Sequence, residues 1–255
     1  MTTMKKLLVV FGALVAVAAI VTVSVLGTIA YLTSSAAVSN VFTIGNVGIT
    51  MTESKVDANG KIITGEGAAQ VDTNTYHLIP GKKYDKNPTI TVQANSASSY
   101  LFVLVRNDIE GIAITDVNNT EGYLTIADQL NAKGWYPYTT ASTGTVYVYA
   151  GGNMPSTPIN DTSISATSTI ASEVGSANVE TYNLFEYFVI DPKADVSTYG
   201  AAKITLTAVA IQTDGFGDPC TKASVDAAWN AVVETYPYIH TGNNNSGSGS
   251  SGSGT

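Results

Sequence analysis

The residues best suited to chemistry in this 255-residue chain are two histidines, His77 and His240, one cysteine, Cys220, and a few spaced carboxylates. A zinc hydrolase of the His-Glu-x-x-His type needs two imidazoles one helical turn apart with a glutamate between them, to hold the metal and polarise water. His77 and His240 lie far apart in the sequence, so that ligand set is missing. A serine triad would have to recruit one of the same histidines, and the body of the chain has no Gly-x-Ser-x-Gly elbow to present a nucleophile. A single cysteine excludes an intrachain disulfide and any multi-cysteine zinc site. Cys220 reads as a small buried hydrophobe or, less often, an intermolecular crosslink. No catalysis, cofactor or metal is expected on these counts. Asp214-Gly215-Phe216-Gly217-Asp218 spaces carboxylates and glycines as a calcium loop does, but lacks the full ligand run, and a turn before the last helix accounts for it equally well. The sequons at Asn118, Asn160 and Asn244 permit glycosylation in a secreted chain, although an Asn- and Thr-rich sequence makes such matches cheap.

The composition narrows the remaining functions. Charged residues make up 13% of the chain, about half the usual ~25%, while 44% is hydrophobic. Such a chain can bury a core, as one large domain or two small ones. The net charge of −8 argues against a nucleic-acid partner, because phosphate neutralisation needs basic patches.

The elements that must position any site begin with an export segment. Lys5 and Lys6 precede an uncharged apolar stretch over residues 7–30, with small residues at Thr28 and Ala30. This is a signal-peptide layout, with cleavage predicted between Ala30 and Tyr31, so that residues 1–30 are removed and the remainder works outside the cytoplasm or at the cell surface. The membrane is then met only through the uncleaved precursor. The stretch is also long enough for a bilayer of ~20 apolar residues, and a retained anchor is the alternative. From residue 33 to about 212 the pattern is mostly of short alternating runs broken by Gly, Asn, Asp and Pro, and the β domain is placed at 45–241. Strands are expected at 47–51, 75–79, 89–94, 100–106, 145–150, 184–190 and 203–212. Many short strands with few helices between them predict an all-β, jelly-roll-like β-sandwich with a few short helices in the connections. Leu124, Ala127 and Leu130 give a weak helical signal. Val225, Ala228, Trp229, Val232 and Val233 give a stronger one, predicting an amphipathic helix over 224–234 anchored by Trp229. Residues 242–255 are Asn, Ser and Gly with a final Thr, a flexible tail.

Residues 31–44 form an N-terminal arm with its own pattern. Leu32, Ala36, Val38, Phe42 and Ile44 fall on one face at period two, and after Gly45-Asn46 the phase flips to Val47, Ile49 and Met51. The arm would extend roughly 45 Å at about 3.3 Å per residue, longer than a typical strand of ~5–6 residues. Entering a groove on another subunit, its four larger side chains would contribute roughly 6–12 kcal/mol gross. Ordering takes back about 1–2 kcal/mol per residue, so backbone pairing along a sheet edge must supply the rest. The simpler alternative is an edge strand within the same chain. Repeated head-to-tail exchange would make a homopolymer, an open filament where the contact does not close.

Several blocks resemble the TasA/camelysin family of exported matrix-fibre proteins. They are Gly27-Thr28-Ile29-Ala30-Tyr31-Leu32-Thr33, similar to that family's dedicated signal peptide, then Asn40-Val41-Phe42-Thr43-Ile44-Gly45-Asn46-Val47-Gly48-Ile49, then Ile79-Pro80-Gly81-Lys82-Lys83-Tyr84. Ile204-Thr205-Leu206-Thr207-Ala208-Val209, Asp214-Gly215-Phe216 and Asp226-Ala227-Ala228-Trp229 follow in family order. Residues 110–179 match no family pattern and read as a decorating insertion. The resemblance implies a jelly-roll domain whose mature N-terminus inserts into the next subunit as a donor strand. It implies a filament subunit of a biofilm matrix or pilus-like fibre, with other matrix or surface components as further partners. Some family members carry a metallopeptidase label, which the histidine count here opposes. A membrane-anchored or monomeric surface adhesin of the same fold is the alternative.

Overall fold

Two nine-residue strands with apolar centres form the spine of the molecule. The computed structural model describes residues 33–36, 38–115, 121–141, 143–150, 170–171, 180–216, 221–236 and 239. In chain order the strands begin with β1 (Thr33–Ala36), β2 (Val38–Ile44), β3 (Ile49–Ser54), β4 (Gln70–Val71), β5 (Thr75–His77), β6 (Lys83–Asp85) and β7 (Thr89–Val92). They continue with β8 (Ser99–Asn107), β9 (Trp135–Ala141), β10 (Gly144–Tyr149), β11 (Ile170–Ala171), β12 (Glu180–Asn183), β13 (Tyr187–Val189) and β14 (Ile204–Gln212). Two α-helices, α1 (Ile126–Ala132) and α2 (Lys222–Thr235), and a 3-10 turn at Glu110–Ile112 complete the described elements. The all-β expectation holds. All seven expected strands are present with shifted ends.

β8 and β14 are buried on both faces because each carries apolar residues at both parities through its central stretch. Leu101, Val103 and Val105 of β8, with Leu206, Ala208 and Ala210 of β14, face one core. Tyr100, Phe102 and Leu104, with Val209 and Ile211, face a second. A strand apolar at both parities can only sit inside a sheet covered on both sides. The six-stranded sheet runs β2-β14-β8-β10-β9, with β11 also on β8. Its first face shares a core with the four-stranded sheet β12-β7-β3-β4, through Ile49, Met51, Ile90 and Val92. Its second face is covered by α2, through Val225, Ala228, Trp229 and Val232. The molecule is therefore layered as helix, sheet and sheet. Two short ribbons, β1-β5 and β13-β6, complete the pairings.

The last helix starts two residues before the predicted boundary because Thr221 caps it. The Thr221 hydroxyl accepts from the Ser224 N–H, and the Ser224 side chain accepts from the Thr221 N–H, a reciprocal capping box. Trp229 is 4% exposed, as its periodicity predicts, and lies 5.1 Å from the Phe102 ring. Tyr100 Oη donates to Ser224 Oγ at 3.0 Å and Tyr138 Oη to Asp226 Oδ1 at 2.6 Å, tying the helix to the sheet beneath. The stretch read as an insertion supplies β9 and β10 of the main sheet, with Trp135, Val146 and Val148 fully buried.

Burial pushes the Tyr84 phenol up to about 12 from the ordinary tyrosine value of 10.0. Tyr76 and Tyr138 are raised as well, by burial first and then by nearby carboxylates. A group whose folded value is raised contributes stability that is complete below its unfolded value and lost as pH climbs through the folded one. The protein is therefore expected to lose stability from about pH 10 upward, with these tyrosines ionising only as it unfolds. Tyrosinate absorbance followed beside circular dichroism checks this. Full ionisation of every tyrosine before any loss of structure would contradict it.

Candidate assembly site

The candidate site is the free side of β14 and the strand that occupies it. β2 lies along β14 in parallel, from Val38 opposite Thr205 to Ile44 opposite Ile211, in a sheet whose other pairings are antiparallel. Phe42 and Ile44 are half-buried and pack on the second core, and Phe42 meets the Tyr236 ring at 5.0 Å. Val41 points the other way and is 36% exposed. The period-two face of the arm thus holds where its side chains are described. β1 leaves this sheet and pairs with β5, Ala36 opposite Thr75, with a register shift between Thr33 and Ser35. The arm is two short strands in separate sheets rather than one long one.

Gly45 separates β2 from β3, and there the chain passes from the six-stranded sheet to the four-stranded one. This is the physical content of the phase flip: Phe42 and Ile44 serve one core, whereas Val47, Ile49 and Met51 serve the other. Gly45 has φ +87°, and a Cβ there would sit 2.6 Å from Gln212 Cβ. Gln212 also holds the hinge, since its Oε1 accepts the Asn46 N–H at 2.8 Å and its Nε2 donates to Asp214 Oδ2 at 2.8 Å. Gly45→Ala is expected to cost about 1–3 kcal/mol, from the left-handed backbone and the backbone-proximal clash together. Denaturant unfolding measures it, and a cost near zero would show that the hinge is not held as described.

Ala30, Tyr31 and Leu32 lie outside the described residues, as do Asn118, Asn160, Asp218, Cys220, His240 and the tail. Ala36 and Val38 are described in their backbone pairing alone. Asp214 is engaged by Gln212. His77 sits in β5 opposite Thr33, and its carbonyl accepts the Tyr84 hydroxyl. Among the described residues no three His, Cys, Asp or Glu side chains gather in a way that would hold a metal. Nor is any described helix long and apolar enough to cross a membrane.

A cavity of about 480 Å³ escaped the sequence reading. It opens between the end of β8, the 3-10 turn and α1, lined by Asp108, Glu110, Leu124, Thr143 and Tyr147 among others. Burial, then Glu110 and Asp128, raises the Tyr147 phenol above its ordinary value. Asp108 already accepts the Lys203 N–H at 3.1 Å. The cavity's lining comes from five elements, β8, the 3-10 turn, α1, β10 and β13, and the loops between them, so no sequence motif marks it.

No protein-family model, curated protein or solved structure matches the chain.

Proposed function

We propose that the chain is an exported structural subunit that polymerises head to tail into extracellular filaments, the arm of one copy replacing β1 and β2 of the next. In this reading the two facing sheets are a jelly-roll-like sandwich. The observation that supports it is β2 itself. It is an edge strand held by one parallel ladder, with Phe42 and Ile44 half-buried against the second core, and it ends at a glycine hinge. Such a strand can be withdrawn without dismantling either core, leaving a β14 edge and an apolar seat that fit the same strand from a neighbour. Each copy donates one arm and accepts another, a heterologous contact that propagates. The blocks resembling the TasA/camelysin family fit this reading, as does a signal peptide ending at Ala30.

A monomeric or membrane-anchored surface adhesin is the second reading, and the seating of β2 in its own chain favours it. Paired cysteines separate the two. Val41 and Ala208 are in register, so V41C with A208C, on a C220S background, should close a disulfide across the ladder. Exchange predicts a covalent ladder of oligomers on a non-reducing gel. A disulfide confined to the monomer would reject the polymer.

A further inference from the structure

Lys86 and Glu53 form an ion pair in the interior, each side chain 1% exposed, with Lys86 Nζ 2.5 Å from Glu53 Oε2. Neither belongs to the assembly site. Their surroundings hold them in place. The Ser54 N–H donates to Asn87 Oδ1 at 2.8 Å and Asn87 Nδ2 donates to Ser54 Oγ at 3.0 Å, fastening the residue after Lys86 to the residue after Glu53. Asn74 closes the other side: its Nδ2 donates to the Ser54 carbonyl at 2.8 Å and its Oδ1 accepts the Val56 N–H at 3.0 Å. The Asn74 backbone N–H donates to Glu53 Oε1 at 3.0 Å. A primary amine is thus fixed against a carboxyl group whose second oxygen rests on a hydrogen-bond donor, in a place shielded from water.

We propose that this pair is a modification site, at which Lys86 Nζ and Glu53 Cδ join in an intramolecular amide bond. The ammonium first passes a proton to the carboxylate, giving a neutral amine and a carboxylic acid. The nitrogen lone pair then attacks Cδ, forming the C–N bond, while the Asn74 N–H holds the negative charge that develops on Oε1. The hydroxyl at Oε2 takes a proton from the nitrogen and leaves as water. No oxidant or co-reactant is consumed. Burial lowers the Lys86 amine below the usual lysine range, against the pull of Glu53, which favours the neutral nucleophile. The product replaces two buried charges, each expensive to keep from water, by one neutral amide.

The bond would tie β3 to the segment that runs from β6, whose strand partner is β13, into β7, which itself pairs with β3. A chain with one cysteine cannot make such a tie as an intrachain disulfide.

Intact mass spectrometry of the purified exported chain in denaturant, followed by peptide mapping, decides the matter. The expected result is a mass one water below that of the processed chain, its N-terminus fixed by the same peptide map, with a branched peptide joining Glu53 to Lys86, and the water regained in K86M. A parent protein at the full mass of its processed sequence would overturn the proposal. So would a water loss mapped elsewhere, such as a cyclic imide at Asp214-Gly215, or the loss of one ammonia with Lys86 joined to Asn74. The parent protein's own mass and map decide whether or not K86M folds, and they are independent of whether the chain polymerises.

Discussion

A chain lacking residues 31–41 is expected to keep its body folded and to form no assembly larger than a monomer or small aggregate. The reasoning is one of parts removed against parts left. The deletion takes β1 and more than half of β2, which supply one ribbon and one edge ladder. It leaves β8, β10 and β14 and both cores with their fully buried residues in place. What it exposes is the β14 edge, which invites pairing with an added strand. A synthetic peptide of residues 31–44 should therefore bind the shortened chain and block its addition to intact filaments. F42D is the companion test: an unpaired carboxylate against Tyr236 and the second core is costly to bury, so it should suppress assembly in the full chain. Size-exclusion chromatography with negative-stain imaging gives the readout. Filaments of unchanged length and number in both variants would sink the exchange mechanism.

Legibility in the sequence followed how locally each feature is determined. β8 and β14 declared themselves because each is apolar at both parities over a continuous stretch, 100–105 in β8 and 208–211 in β14, and the last helix because Val225, Ala228, Trp229 and Val232 repeat at the helical period. β9 was missed although Trp135 and Tyr136 are buried, because Pro137 reads as punctuation and a register shift interrupts its pairing with β10. β6 is a three-residue strand, too short for periodicity to register, and β13, expected at 184–190, is cut back to the three residues that pair with it. Their residues are placed instead by an aromatic cluster in which Tyr84 stacks on Phe188 at 5.0 Å and Tyr76 meets both edge-on.

The arm illustrates the same division. Its two-residue period was visible, and so was the break at Gly45. Its partition between two sheets was not, because that depends on β5 and β14, which lie far along the chain. The Lys86–Glu53 pair was invisible for a related reason. Lysine and glutamate read as surface residues in any one-dimensional pattern, and only the packing of β3 against the segment after β6 encloses them.

W229A is expected to destabilise the protein by about 3–5 kcal/mol, the usual cost of emptying a large buried aromatic site. At this chain length that corresponds to a fall in melting temperature of roughly 10 °C. The side chain is the main anchor of α2 on the outer face of the six-stranded sheet, 5.1 Å from the Phe102 ring and 6.2 Å from the Tyr138 ring. W229F should cost far less, because it refills most of the volume. The effect should also reach the assembly site. Tyr236, which packs on Phe42, follows directly from α2 and bonds its N–H to the Val232 carbonyl at 2.8 Å. A helix that rocks on the sheet moves one wall of the seat in which Phe42 lies. At a temperature where W229A is still folded, it should therefore need a higher protein concentration than the parent to assemble, while W229F should not. Calorimetry and a sedimentation assay across a concentration series measure the two effects separately. A cost below about 1 kcal/mol would mean that α2 does not cover the sheet as described. A full cost with unchanged assembly would confine the helix to holding the body together and uncouple it from the arm.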